Sequence, residues 1–248
     1  MIYLESQWNG FKRLDFVLQD RSAILIIPDK AVEGKKWLLK TEYFDAFPNY
    51  EIEMVRRGYH LAYIQNESGW HAPGDSDAKA ALADFLVKEF GLCEKCMPVG
   101  MSCGGLQAMY FVGNYPEKVA ALYLDAPVMN MLSCPCAIGR DISLKQIAFD
   151  RMRQGMMSTH GLMIDGMLNF RNHPIDQAPA ILKHNIPVIL VSGDADYVVP
   201  YDENGKALKE YLLSNGGNYT EIIKPGCDHH PHGLEDPTPI VEFTEKYY

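Results

Sequence analysis

In the stretch Val99-Gly100-Met101-Ser102-Cys103-Gly104-Gly105, a short apolar run leads into a glycine-flanked serine, and the helix-forming, largely apolar residues 106–112 follow. Few chain paths satisfy that order: a buried strand, a sharp turn with Ser102 at its apex, and a helix leaving the turn. Small residues around the serine let the strand and helix backbones pack closely while Oγ projects outward. The free N–H groups and positive end of the following helix then lie beside the serine, which suits a developing oxyanion. Cys103, next in the chain, is the first expected oxyanion donor through its backbone N–H. A second donor is expected from residues 28–31 (Pro-Asp-Lys-Ala), which follow the apolar strand-like run 23–27.

A serine hydroxyl is a weak nucleophile and needs a base with a pKa near neutrality, itself oriented by a carboxylate. Downstream, Pro187-Val188-Ile189-Leu190-Val191-Ser192 reads as a buried parallel-type strand, and Gly193-Asp194-Ala195-Asp196 follows it. Asp196, three residues after the glycine and just ahead of Val198-Val199-Pro200, is preferred over Asp194, which can cap a turn. Asp125, at the end of a strand over 119–124, is a third candidate; its alternative role is to bond loop backbone beneath the site. A last strand near 220–224 leads into Pro225-Gly226-Cys227-Asp228-His229-His230-Pro231-His232. The spacing from Gly226 favours His229 as the base, then His230, then His232. The order Ser, Asp, His is that of α/β-hydrolases, not of chymotrypsin or subtilisin folds.

These motifs resemble the prolyl-oligopeptidase-like and carbohydrate-esterase-type α/β-hydrolases of bacteria that lack a propeller. The resemblance runs from Trp8-Asn9-Gly10-Phe11 through the Ser102 turn and Leu124-Asp125-Ala126-Pro127-Val128 to the segment 224–240. It implies a serine hydrolase, often an esterase acting on decorated plant sugars. Cys103 stands where similar sequences commonly carry arginine.

A chain of 248 residues that is 47% hydrophobic can bury one large core without disulfides, so a single domain is expected. A net charge of −9 argues against nucleic acid as a partner. No 18-residue apolar span suggests a membrane segment, and the first residues lack the pattern of a signal peptide, so a cytoplasmic location is expected. The six cysteines, including the unpartnered Cys93-x-x-Cys96, are expected as free thiols. Three histidines within four residues of a proline-interrupted loop lack the i, i+4 helical spacing of familiar zinc sites, so neither metal nor cofactor is expected.

Strand-like and helical stretches alternate, which predicts a mostly parallel central sheet with helices on both faces. Strands are expected at 11–18, 22–28 and 60–65, and helices at 41–57 with a break at Pro48 and at 75–90. Residues 129–177 are too long for an ordinary connection, and their many methionines suit either a helical cap over the site or core filling. Trp37, Lys40 and Glu42, with Trp70 and His71, are the candidates to line the mouth, where an aromatic ring could stack on a sugar. The expected activity is hydrolysis of a carboxylic ester, such as an acetyl or methyl ester on an oligosaccharide, through an acyl-enzyme. The alternatives are a short-peptide serine peptidase and a non-catalytic binding protein on the same fold.

Overall fold

The computed structural model describes residues 1–248. Nine strands form one sheet: β1 (Leu4–Trp8), β2 (Phe11–Leu18), β3 (Arg21–Ile27), β4 (Trp37–Lys40), β5 (His60–Ile64), β6 (Met97–Met101), β7 (Leu122–Asp125), β8 (Val188–Gly193) and β9 (Tyr219–Lys224). Their order across the sheet is β1-β2-β3-β5-β4-β6-β7-β8-β9. Pairing is antiparallel from β1 to the β3·β5 pair and parallel from there to β9. The parallel strands β6, β7 and β8 are buried at every position, as strands covered on both faces must be.

Eight helices accompany the sheet: α1 (Asn49–Arg56), α2 (Asp75–Phe90), α3 (Cys103–Asn114), α4 (Gln146–His160), α5 (Ile164–Leu168), α6 (Ala178–Lys183), α7 (Gly205–Ser214) and α8 (Thr238–Tyr247). On one face, α2, α3, α6 and α7 supply Leu82, Leu86, Met109, Phe111, Ile181, Leu208 and Leu212 to the larger core cluster. On the other, α1 and α8 bury Tyr50, Met54, Val55, Ile240 and Phe243. Each such large side chain withdrawn from water contributes about 1.5–3 kcal/mol. A third cluster lies under α4 and α5 and includes Trp70, Cys103, Leu106, Met156 and Met167.

Two expectations for the N-terminal half are corrected. The strand β4 lies where none was expected, because Trp37-Leu38-Leu39-Lys40 is only four residues long. Residues 41–48 are not helical: Pro48 precedes α1, and Tyr43 and Phe47 adopt positive φ of 54° and 48°, which no helix accommodates. Beneath that loop Lys40 and Glu51 form an ion pair with both side chains fully buried, tying the end of β4 to α1. No helix is long and apolar enough to cross a membrane.

Candidate active site

The strand β6 ends at Met101, and α3 begins at Cys103, so Ser102 alone makes the turn, with φ 52° and ψ −118°. Backbone in that region is strained for a residue with a Cβ, and neighbouring contacts hold it there. Ser102 N–H donates to Asp125 O at 2.9 Å and Ser102 O accepts from Val128 N–H at 3.1 Å. The flanking glycines are steric requirements. A Cβ on Gly100 would lie 2.5 Å from Gly104 O, and one on Gly105 would lie 2.4 Å from Pro127 Cβ.

The loop after β8 carries Asp196, whose Oδ1 accepts from Val198 N–H and Val199 N–H, each at 2.8 Å. Its Oδ2 lies 2.7 Å from His229 Nδ1, and His229 Nε2 lies 3.0 Å from Ser102 Oγ. With Nδ1–H donating to the carboxylate, Nε2 keeps its lone pair and accepts from the serine hydroxyl. The histidine loop is pinned to the end of β8: Ala195 N–H donates to Cys227 O at 3.1 Å and Tyr197 N–H to Asp228 Oδ1 at 2.8 Å. Only glycine fits at 193, where a Cβ would meet Cys227 O at 2.1 Å. Asp194 serves this loop and not the imidazole, accepting from Gly226 N–H at 2.6 Å.

Serine, carboxylate and imidazole follow one another along the chain as Ser102, Asp196 and His229, and residues 66–248, which contain all three, match the model of the prolyl oligopeptidase family. The chain belongs to the prolyl oligopeptidase family. It is a serine hydrolase with the α/β-hydrolase fold. Among curated proteins it is 25% identical over 209 residues to the bifunctional esterase/perhydrolase DCH of Acinetobacter calcoaceticus, a match covering 69% of this chain and 70% of that one. Similar solved structures include the acylaminoacyl peptidase of Pyrococcus horikoshii, with TM-score 0.67, 16% identity and 99% of this chain covered. This chain spans 41% of that peptidase's length. Est1E of Butyrivibrio proteoclasticus, with TM-score 0.60 and 15% identity, is covered over 98% of its length by 99% of this chain.

This family member holds a second carboxylate–imidazole pair beside the first. His232 Nδ1 lies 2.6 Å from Asp125 Oδ1, and Asp125 Oδ2 accepts from Gly233 N–H at 2.7 Å and from Tyr123 Oη at 3.1 Å. Burial pushes the Asp125 carboxyl up, but the His232 bond and charge, Lys224 and the Gly233 N–H outweigh it and hold the pKa below its ordinary value. The loop-bonding role expected for Asp125 is present, with His232 as an added partner. The rings of His229 and His232 are 4.8 Å apart between centroids. His230 is the exposed one of the three, its ring 4.9 Å from each of the other two and stacked on Phe47 at 5.6 Å.

Ser102 and the three histidines open into a cavity of about 490 Å³. Its walls are mostly apolar: Ala46, Phe47, Trp70, Met101, Ala148, Phe149, Met152 and Val198, with Tyr43 and Lys145 adding polar atoms and no acidic residue among the lining. Helix α4 and the residue before it supply Lys145, Ala148, Phe149 and Met152, so the long 129–177 segment forms one wall. Trp70 lies in the lining as expected, and α4 packs onto its loop, with Ser68 Oγ 2.6 Å from Thr159 Oγ1 and His160 Nε2 2.9 Å from Trp70 O.

Trp37 does not reach the cavity; it is a fully buried residue of β4 whose Nε1–H donates to Cys93 O at 2.9 Å. Lys40 is buried against Glu51, and Glu42 accepts from Asn66 behind the turn. His71 also turns away, stacked on Tyr110 at 4.2 Å and bonded to Ser76 Oγ at 2.8 Å, and burial pushes its pKa down to about 4. Tyr43, Phe47 and Phe149 were not foreseen, because a positive φ and a long-range wall leave no local sequence pattern. Cys103 lines the cavity, and burial pushes its thiol up to about 12, so it stays protonated. All six cysteines are free.

The second oxyanion donor is also corrected. Strand β3 runs antiparallel to β5, and β5, β4 and β6 run parallel, so residues 28–31 leave at the opposite end of the strands from Ser102. On the side of β6 away from β7 the parallel neighbour is β4, and its outgoing loop carries Thr41, Glu42 and Tyr43 past the start of α3. Thr41 Oγ1 donates to Gly104 O at 2.6 Å, fixing that loop against the helix N-terminus, and Tyr43 N–H has no partner within the protein.

Proposed function

We propose that this hydrolase cleaves a carboxylic ester through an acyl-enzyme on Ser102. The observation that carries the reading is the chain Ser102–His229–Asp196, hydrogen-bonded at 3.0 and 2.7 Å and opening into an apolar cavity free of carboxylates. Ser102 Oγ attacks the ester carbonyl while its proton passes to His229 Nε2. The imidazolium is stabilised by Asp196 and then delivers the proton to the leaving alkoxide. Water attacks the acyl carbonyl with His229 again as base, releasing acid and free serine. The N–H groups of Cys103 and Tyr43 receive the oxyanion, one from the turn and one from the loop after β4.

The cavity suits a short acyl or small apolar group, while Tyr43 and Phe47 present exposed rings on which a sugar face can stack. An ester of acetate or methanol on a carbohydrate is therefore the substrate class proposed. The absence of any carboxylate among the lining residues speaks against capture of a free peptide amino terminus, as a short-peptide peptidase would need. Six free thiols fit a reducing compartment such as the cytoplasm.

Turnover of 4-nitrophenyl acetate, butyrate and octanoate, acetylated xylo-oligosaccharides, and aminoacyl 4-nitroanilides tests this directly. The reading predicts measurable ester turnover, with acetate or butyrate preferred to octanoate, and anilide turnover lower by at least about 10². Anilide turnover equal to that of the esters would contradict it.

A further inference from the structure

One ring nitrogen from each of His229, His230 and His232 lies within 4.8 Å of the other two. In two of the three, Nδ1 is already held by a buried carboxylate: Asp196 for His229 and Asp125 for His232. Such an outer carboxylate fixes the tautomer and leaves Nε2 with its lone pair for a metal. The third ring, His230, is the exposed one and stacks on Phe47, so it can turn without disturbing the core. Spacing along the chain argued against a metal here; convergence in space supplies what the spacing lacks.

The geometry points to a zinc site: His229, His230 and His232 take one Zn²⁺ through three imidazoles, leave its fourth position open to the cavity, and the bound ion switches the hydrolase off. The inhibitory half rests on His229 being the catalytic base. Tetrahedral zinc with Zn–N bonds of about 2.0–2.1 Å needs its nitrogens about 3.3 Å apart. The observed spread of up to 4.8 Å must therefore close by as much as about 1.5 Å, and His230, the ring without a carboxylate partner, is the freest to move. Asp125 and Asp196 place two carboxylates behind the ligands, opposing the charge of the ion. Neutral imidazoles suit zinc and copper, whereas a cavity without carboxylates offers magnesium or calcium no oxygen set. Coordination at His229 Nε2 occupies the lone pair that otherwise receives the Ser102 proton, so ester hydrolysis stops while the fold is intact. Cys227, two residues before His229, is a soft competitor on the same loop, but its Sγ lies against the carbonyl oxygens of residues 228, 230 and 231.

The test is zinc binding by equilibrium dialysis of metal-free full-length protein, run beside ester turnover. Wild type, Ser102→Ala, His230→Gln and Cys227→Ser are compared. One zinc per chain is expected in wild type, Ser102→Ala and Cys227→Ser, with at least tenfold weaker binding in His230→Gln. Turnover of wild type should fall over the same zinc range and return on adding a chelator, with no response to millimolar magnesium. No bound zinc, or binding lost in Cys227→Ser and retained in His230→Gln, overturns the site. A rise in turnover with zinc overturns its inhibitory role. Zinc bound through His230 in a protein with no ester turnover supports the site and instead refutes the catalytic reading.

Discussion

Two carboxylate–imidazole pairs sit side by side on one loop, and almost nothing in their local chemistry separates them. His229–Asp196 closes at 2.7 Å and His232–Asp125 at 2.6 Å. Each carboxylate is buried and takes two further donors, backbone N–H groups in one case and a backbone N–H with a tyrosine hydroxyl in the other. The difference lies at the far side of the ring: only His229 has its Nε2 on Ser102. Both carboxylates orient an imidazole, and in the proposed mechanism it is reach to Ser102 that singles out His229 as the base. The second pair anchors the loop, joining residue 232 to the end of β7 beside the backbone bond that Ser102 N–H donates to Asp125 O.

That contrast can be broken by substitution. Ser102→Ala and His229→Ala should each lower kcat by about 10⁴–10⁶, whereas His232→Ala should stay within about tenfold of wild type, measured on a soluble ester. Equal losses from His229→Ala and His232→Ala would erase the distinction. The carboxylates should part in the same way. Asp196→Asn should cost about 10³–10⁴ in kcat with little change in Tm, because the amide favours the wrong tautomer of His229. Asp125→Asn should act on stability, since it leaves buried donors unpaired at about 1–3 kcal/mol, a Tm fall of roughly 5 °C.

A smaller effect sharpens the comparison through pH. Asp125 has a folded pKa below its ordinary 3.8, so it contributes stability at higher pH that is lost as pH falls from about 3.8 through the folded value. Asp125→Asn lacks this contribution, so its urea midpoint should fall less steeply than that of wild type below pH 4. Phe149→Ala, on the α4 wall, should raise KM for butyrate esters about tenfold and leave kcat near wild type.

Much of this site was legible along the chain because its chemistry is written in short local patterns. The glycine spacing around Ser102, a buried strand ending three residues before Asp196, and a glycine ahead of His229 all mark strand ends. What was not legible depends on non-local pairing. Four residues made a strand of Trp37–Lys40, so Trp37 became core instead of mouth, and the loop beside Ser102 became that of Tyr43 instead of residues 28–31. The positive φ at Tyr43 and Phe47 broke a stretch whose apolar spacing reads as helix. Asp125 and His232 are 107 residues apart, and only the sheet register brings them together.

Reaction with a fluorophosphonate, followed by intact mass, tests the central claim most directly because it reads nucleophile and base without a known substrate. The account predicts one adduct on wild type, none on Ser102→Ala, labelling of His229→Ala slowed by at least about 10³, and labelling of His232→Ala near the wild-type rate. An adduct on Ser102→Ala, or slow labelling of His232→Ala beside rapid labelling of His229→Ala, would contradict it.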